Sequence, residues 1–161
     1  MITECYIKGR YDYGVGKCAV VITEDVPRDQ EKTVLHQVAW RVPESWQYGG
    51  ETIEADQFNC EILAATYALT WCLKHEKQLV NLYFNTTTCQ KWYMRHEFPE
   101  SRKAAAKAYL DMLAAYEKAM NEHDGQEVID RIYVEWIKKD TTDEKYAYFN
   151  DLVNMICEQV K

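Results

Sequence analysis

Short runs of β-branched and aromatic residues fill the first quarter of the chain, and helical spacing takes over after it. ITECYIK (2–8), KCAVVIT (17–23) and TVLHQVAWRV (33–42) each read as a strand. Asp12, Gly14 and Gly16 punctuate a turn that folds the first two strands into a hairpin. The charged segment 25–32, with Pro27, is a solvated loop, and Pro43 closes the third strand. A polar stretch, 44–54, then carries the chain through Gly49 and Gly50 to a helix over 55–75. There Phe58, Ile62, Ala65, Leu69 and Cys72 recur at helical spacing and predict one buried face. LVNLYFN (79–85) is too continuously apolar for a strand with one face in water. Thr86, Thr87 and Thr88 offer N-caps for a short helix through Trp92.

Pro99 and Ser101 introduce a second long helix, reaching to His123 and stopped by Gly125. Its buried face is Tyr109, Leu113, Tyr116 and Met120. VIDRIYVEWIK (128–138) is a fifth strand. Thr141 and Glu144 form a capping box for a last helix with the face Tyr146, Phe149, Val153, Ile156 and Val160. The order is β-β-β-α-β-α-β-α. It predicts one α/β domain over 1–161, a mixed five-stranded sheet with helices on both faces.

One residue disturbs the apolar stripe of the first helix. Glu61 lies three residues after Phe58 and four before Ala65, so its carboxylate points along the buried face. A buried charge without a partner costs several kcal/mol or becomes protonated, so Glu61 needs one.

Composition narrows the class. With 47% hydrophobic residues, 12 Tyr and 5 Trp, the chain is a globular domain rather than a disordered one. No apolar run is long enough to span a membrane. The start, MITECYIKGRY, lacks the layout of a signal peptide, and a cytoplasmic location is the expectation. The six cysteines are scattered without a C-x-x-C pair, which predicts buried free thiols and no zinc site. A net charge of −7 disfavours general nucleic-acid binding and leaves room for a local basic patch. GRYDYGVGK (9–17) lacks the first glycine of a phosphate loop and is followed by a strand, so it is a hairpin turn.

The element order, with its motifs, resembles the ribonuclease H family over nearly the whole chain. Asn59-Cys60-Glu61-Ile62-Leu63-Ala64 stands where the family's first helix carries a glutamate. Tyr6-Ile7-Lys8-Gly9-Arg10 stands at its first-strand acidic turn, and Phe84-Asn85-Thr86 at its T-D-S. Trp136-Ile137-Lys138-Lys139-Asp140 and Asn150-Asp151-Leu152 fall at its fifth-strand and last-helix motifs. The resemblance implies a site of four carboxylates that hold two Mg²⁺ ions and cleave the RNA strand of an RNA·DNA hybrid. Here Lys8, Asn85 and Asn150 take three of the four places and only Glu61 is retained. The expectation is a degenerate member that holds no metal and uses no cofactor. Lys8 is expected to fill the metal's space and pair with Glu61, with Asn85 and Asn150 completing the hydrogen bonds. Lys8→Met is then expected to destabilise more than Asn85→Ala.

The basic stretch 91–107 offers Lys91, Arg95, Arg102, Lys103 and Lys107 among Trp92, Tyr93 and Phe98. Its place resembles the family's basic substrate-binding protrusion, which implies phosphate contacts and base stacking. The plainer reading is a solvated helix start whose aromatics pack on the sheet. Three functions follow: a domain that binds RNA·DNA hybrid, other nucleic acid or a protein; an active Mg²⁺-dependent ribonuclease using Glu61 with Asp12 and Asp151; or a purely structural domain.

Overall fold

A computed structural model describes residues 2–25, 32–86, 92–93, 96–124 and 132–161. Strands β1 (Thr3–Asp12), β2 (Val15–Asp25) and β3 (Lys32–Val42) form an antiparallel meander. Tyr13 and Gly14, both at positive φ, make the two-residue turn between β1 and β2, the geometry that suits a hairpin's twist. Strand β6 (Val80–Phe84) lies parallel to β1, and β7 (Ile132–Trp136) parallel to β6. The sheet order is β3-β2-β1-β6-β7.

The segment 44–54, expected to be a plain connection, is a small hairpin of β4 (Ser45–Tyr48) and β5 (Glu51–Glu54). Only Ile53 of it is buried, so its strands carry little apolar signal.

Helix α1 (Gln57–Lys74) begins at Asp56, whose carboxylate accepts from the Asn59 amide at 2.8 Å. Of the face the spacing predicts, Ile62, Ala65, Leu69 and Cys72 are buried, with Ala68 beside them, and Phe58 is half-buried. Helix α2 (Lys103–Asp124), preceded by a 3-10 turn, adds Tyr109, Leu113, Tyr116 and Met120 to the same core. Helix α3 (Ala147–Glu158) covers the opposite face, where Tyr6, Ala19, Val21, Tyr83, Val153 and Cys157 pack together. Helix α3 starts later than the capping box implied. Its N-cap is Tyr146, and the Thr141 hydroxyl instead accepts from the Asp143 amide at 3.2 Å.

Cys5, Cys18, Cys60, Cys72 and Cys157 are free and buried. Among the described residues no helix is long and apolar enough to cross a membrane. The expected stop at Gly125, the short helix through 87–91, Cys89 and the first residues of the fifth strand lie outside the described residues.

Candidate functional site

The end of β6 and the last helix bring two of the aligned residues, Asn85 and Asn150, together. Tyr6 sits beside Tyr83 in the parallel register. Lys8 lies two residues beyond that pair within β1, and Asn85 two residues beyond it, just past the end of β6. Strand alternation puts Lys8 on the α3 face with Tyr6. Gly9, on the other face, lies directly against α1: a Cβ there would overlap the Glu61 nitrogen and Cα and the Cys60 carbonyl carbon. Only glycine lets strand and helix approach this closely. The Gln57 side chain also donates to the Gly9 carbonyl at 2.7 Å.

Glu61 is fully buried. Among the described residues two hydroxyls reach it. Thr86 donates to one carboxylate oxygen at 2.6 Å and Tyr93 to the other at 3.4 Å. No ion pair joins it to Lys8, and Asn85 and Asn150 bond elsewhere. This corrects the expected Lys8–Glu61 pair. The two amides instead form their own network. The Asn85 side chain donates to the Ile137 carbonyl and to the Asn150 side-chain oxygen, each at 2.9 Å. Asn150 donates to the Lys139 carbonyl at 2.9 Å, and Asn154 to the Asn150 carbonyl at 2.7 Å. The Trp136 indole donates to the Asn85 carbonyl at 2.8 Å. Together these bonds pin the β7–α3 connection to the end of β6.

Lys8 is only 7% exposed. Among the described residues its ammonium has no hydrogen-bond or ion-pair partner. Burial lowers its pKa, the nearby Lys139 ammonium and then Arg10 add to this, and Glu61 and Cys157 oppose it. Cys157 is pushed up to about 11 by burial, against the pull of Lys8, Arg10 and Lys17. Four cations therefore share this end of the sheet. Arg10 is engaged by Asp12 and by Glu158 at 2.8 Å, and Lys17 reaches the Glu158 carbonyl at 3.5 Å.

Burial without a partner reverses the stability expectation for Lys8. We expect Lys8→Met to stabilise the domain by about 1 kcal/mol at neutral pH, because it removes a desolvated charge. A lowered native pKa means that the unfolded chain holds more protons between that pKa and the ordinary lysine value. Native stability therefore rises with pH across that window. The advantage of Lys8→Met is then full below the native pKa and fades as the pH climbs towards the ordinary lysine value. Urea melts of both proteins at neutral and alkaline pH measure it. Destabilisation by Lys8→Met at neutral pH would show that the ammonium has a native partner.

The basic stretch is largely committed to structure. Arg102 donates to Asp56 and, at 3.0 Å, to the Asn59 side chain, and lies 4.9 Å over the Phe58 ring. Trp92 meets Phe58 edge-on at 5.4 Å between centroids, and Tyr93 is buried. Lys103 pairs with Glu100 at 2.6 Å on the surface, and Lys107 extends over Gly49. Lys91 and Arg95 lie outside the described residues. The plainer reading thus describes Trp92 and Arg102, while Lys103 and Lys107 stay on the surface. Of this stretch, Tyr93 reaches the Lys8, Glu61, Asn85 and Asn150 group, through its hydrogen bond to Glu61.

Asp12 is turned to Arg10, and Asp151 is exposed. Among the described residues no three His, Cys, Asp or Glu side chains gather as metal ligands. Sequence reading missed Thr86, Tyr93 and Asn154. Asn154 had a signal, since it follows Asn150 by one helical turn.

No family model matches the sequence, and no curated protein sequence matches it either. Solved structures do resemble it. The ribonuclease H1 of Halobacterium salinarum superposes with a TM-score of 0.60 at 12% identity, over 98% of this chain and 96% of that one. The N-terminal ribonuclease H domain of a Mycobacterium tuberculosis protein gives 0.60 at 14%, over 98% and 96%. LC11-RNase H1, solved in complex with an RNA/DNA hybrid, gives 0.61 at 13%, over 97% and 96%. At these identities the likeness is one of architecture: the chain has the ribonuclease H-like fold.

Proposed function

We propose that this domain binds nucleic acid, an RNA·DNA hybrid in the first instance, without hydrolysing it. The observation that carries this reading is the buried Lys8 ammonium in β1, just beyond the residues that pair with β6, together with two amides that donate to backbone carbonyls. Divalent ions of the Mg²⁺ type require anionic oxygen ligands. The residues here do not fit them: one carboxylate is occupied by two hydroxyls, and a cation stands in the ions' neighbourhood. No catalytic step through a metal is therefore derived, and no cofactor is part of the reading. The fold, and a structural neighbour solved with a hybrid, support nucleic acid as the ligand. The buried free thiols suit a reducing, cytosolic compartment.

A labelled RNA·DNA hybrid tests this, with Mg²⁺ or Mn²⁺, alongside Glu61→Gln. The expected result is no cleavage and a gel shift that weakens steeply as salt rises. Cleavage that disappears in Glu61→Gln would make the protein an active nuclease. With neither cleavage nor shift, the nucleic-acid reading fails and a protein partner takes its place.

A further inference from the structure

We infer that the cavity between α2 and β7 binds a small organic ammonium group. This goes beyond the nucleic-acid reading and does not depend on it.

The cavity measures about 240 Å³ and is lined by Tyr93, His96, Tyr109, Leu113, Glu117 and residues 132–134 of β7. Tyr109, Leu113 and Glu117 recur at four-residue spacing, so α2 presents all three on one side. Sites for drug-sized ligands measure about 300–1,000 Å³. The occupant here is therefore a compact molecule.

Two groups in the wall lack partners. Among the described residues, the buried Tyr109 hydroxyl makes no hydrogen bond, and the half-buried Glu117 makes no hydrogen bond or ion pair. A buried hydroxyl left unbonded is costly to keep in a folded protein. Burial, and then the Glu117 charge, push the Tyr109 hydroxyl up, so it stays protonated. The rest of the wall is aromatic and aliphatic. Tyr93 meets Tyr109 edge-on, at 5.3 Å between centroids and 71° between planes, beside Leu113 and Val134.

These walls select the charge of the occupant. An anion would face Glu117, and a hydrocarbon would leave both the carboxylate and the hydroxyl unserved. An ammonium donates N–H to the hydroxyl oxygen and to the carboxylate, and aromatic faces attract cations. Its carbon chain would pack on Leu113 and Val134. Tyr93 also donates to Glu61 at 3.4 Å, so the cavity shares a wall with that carboxylate. Binding forms hydrogen bonds and breaks no covalent bond.

Melting temperature is followed with n-butylammonium chloride against sodium chloride at equal ionic strength, for the native protein, Glu117→Gln and Tyr109→Phe. The expected result is a saturable rise in the native protein, lost in Glu117→Gln. Affinity in Tyr109→Phe falls roughly fivefold, while this variant melts higher without amine because the unserved hydroxyl is gone. Tetramethylammonium, which has no N–H, binds the native protein and Tyr109→Phe alike. Nα-acetyl-lysine amide separates the sources. A rise equal to that of butylammonium assigns the site to a lysine side chain, and none assigns it to a free amine.

No rise with any of these probes would overturn the site. A rise that persists unchanged in Glu117→Gln would overturn it too, as binding elsewhere. Tyr109→Phe melting below the native protein would show that the hydroxyl already has a partner, and would overturn its role as acceptor.

Discussion

Alanine at position 9 will cost the domain more than about 3 kcal/mol, a large share of the total stability of a domain this size. The added methyl group would overlap backbone atoms of Glu61 and Cys60, and neither a strand inside a sheet nor a helix inside a core can step aside cheaply. Side-chain overpacking relaxes through rotamers. Here the obstacle is main chain on both sides, so β1 and α1 must separate and open the apolar layer between them. Gly14→Ala is the matched control. Gly14, unlike Gly9, has a positive φ, and nothing lies within 4 Å of its Cβ position, so the cost is limited to about 1–2 kcal/mol of left-handed strain. Urea titrations of the two variants measure the difference. A loss at position 9 no larger than at position 14 would mean that strand and helix are not in contact at Glu61.

The second large effect is expected at Asn150. Asn150→Ala removes the donor to the Lys139 carbonyl and the acceptor for Asn85 in one change, at a residue 2% exposed. Groups left without partners in such a place each cost about 1–3 kcal/mol, so a total of roughly 2–4 kcal/mol is expected. Asn85→Ala will cost less, because Asn85 is more exposed, and the two losses will not add. A double-mutant cycle will give a coupling of about 1 kcal/mol or more, as for residues sharing one network. Additive losses below about 0.5 kcal/mol each would show that the amides are hydrated and independent.

The sequence carried the parts of this molecule that depend on repetition. The inner face of α1 and the burial of Glu61 follow from spacing alone, because every turn of a helix repeats the same constraint. The meeting of Asn85 with Asn150 followed from the order of elements, which brings the end of β6 and the last helix to one edge of the sheet. Glu61's partners did not follow. Thr86 and Tyr93 are neutral hydroxyls, and Tyr93 comes from a segment 32 residues away in the chain, so no charge pattern announces them. The ion pair expected with Lys8 was the electrostatically obvious choice, but Lys8 lies on the α3 face of β1 while Gly9 is the residue that meets α1. Local polar turns misled at two places. Thr141 has the chemistry of a helix cap and spends it on the Asp143 amide. The β4–β5 hairpin is so exposed that only Gly49 and Gly50, both at positive φ, marked its turn.

The parallel pairing of β1 with β6 has a consequence for how such a protein can diverge. From this shared edge the two strands leave in different ways: β1 turns back into the β2 hairpin, and β6 runs on towards α2. Lys8 and Asn150 are buried at that crevice, so a change of charge there is felt by the scaffold. Change at the crevice is then coupled to folding, through the bonds of Asn150 to Asn85 and to the Lys139 carbonyl.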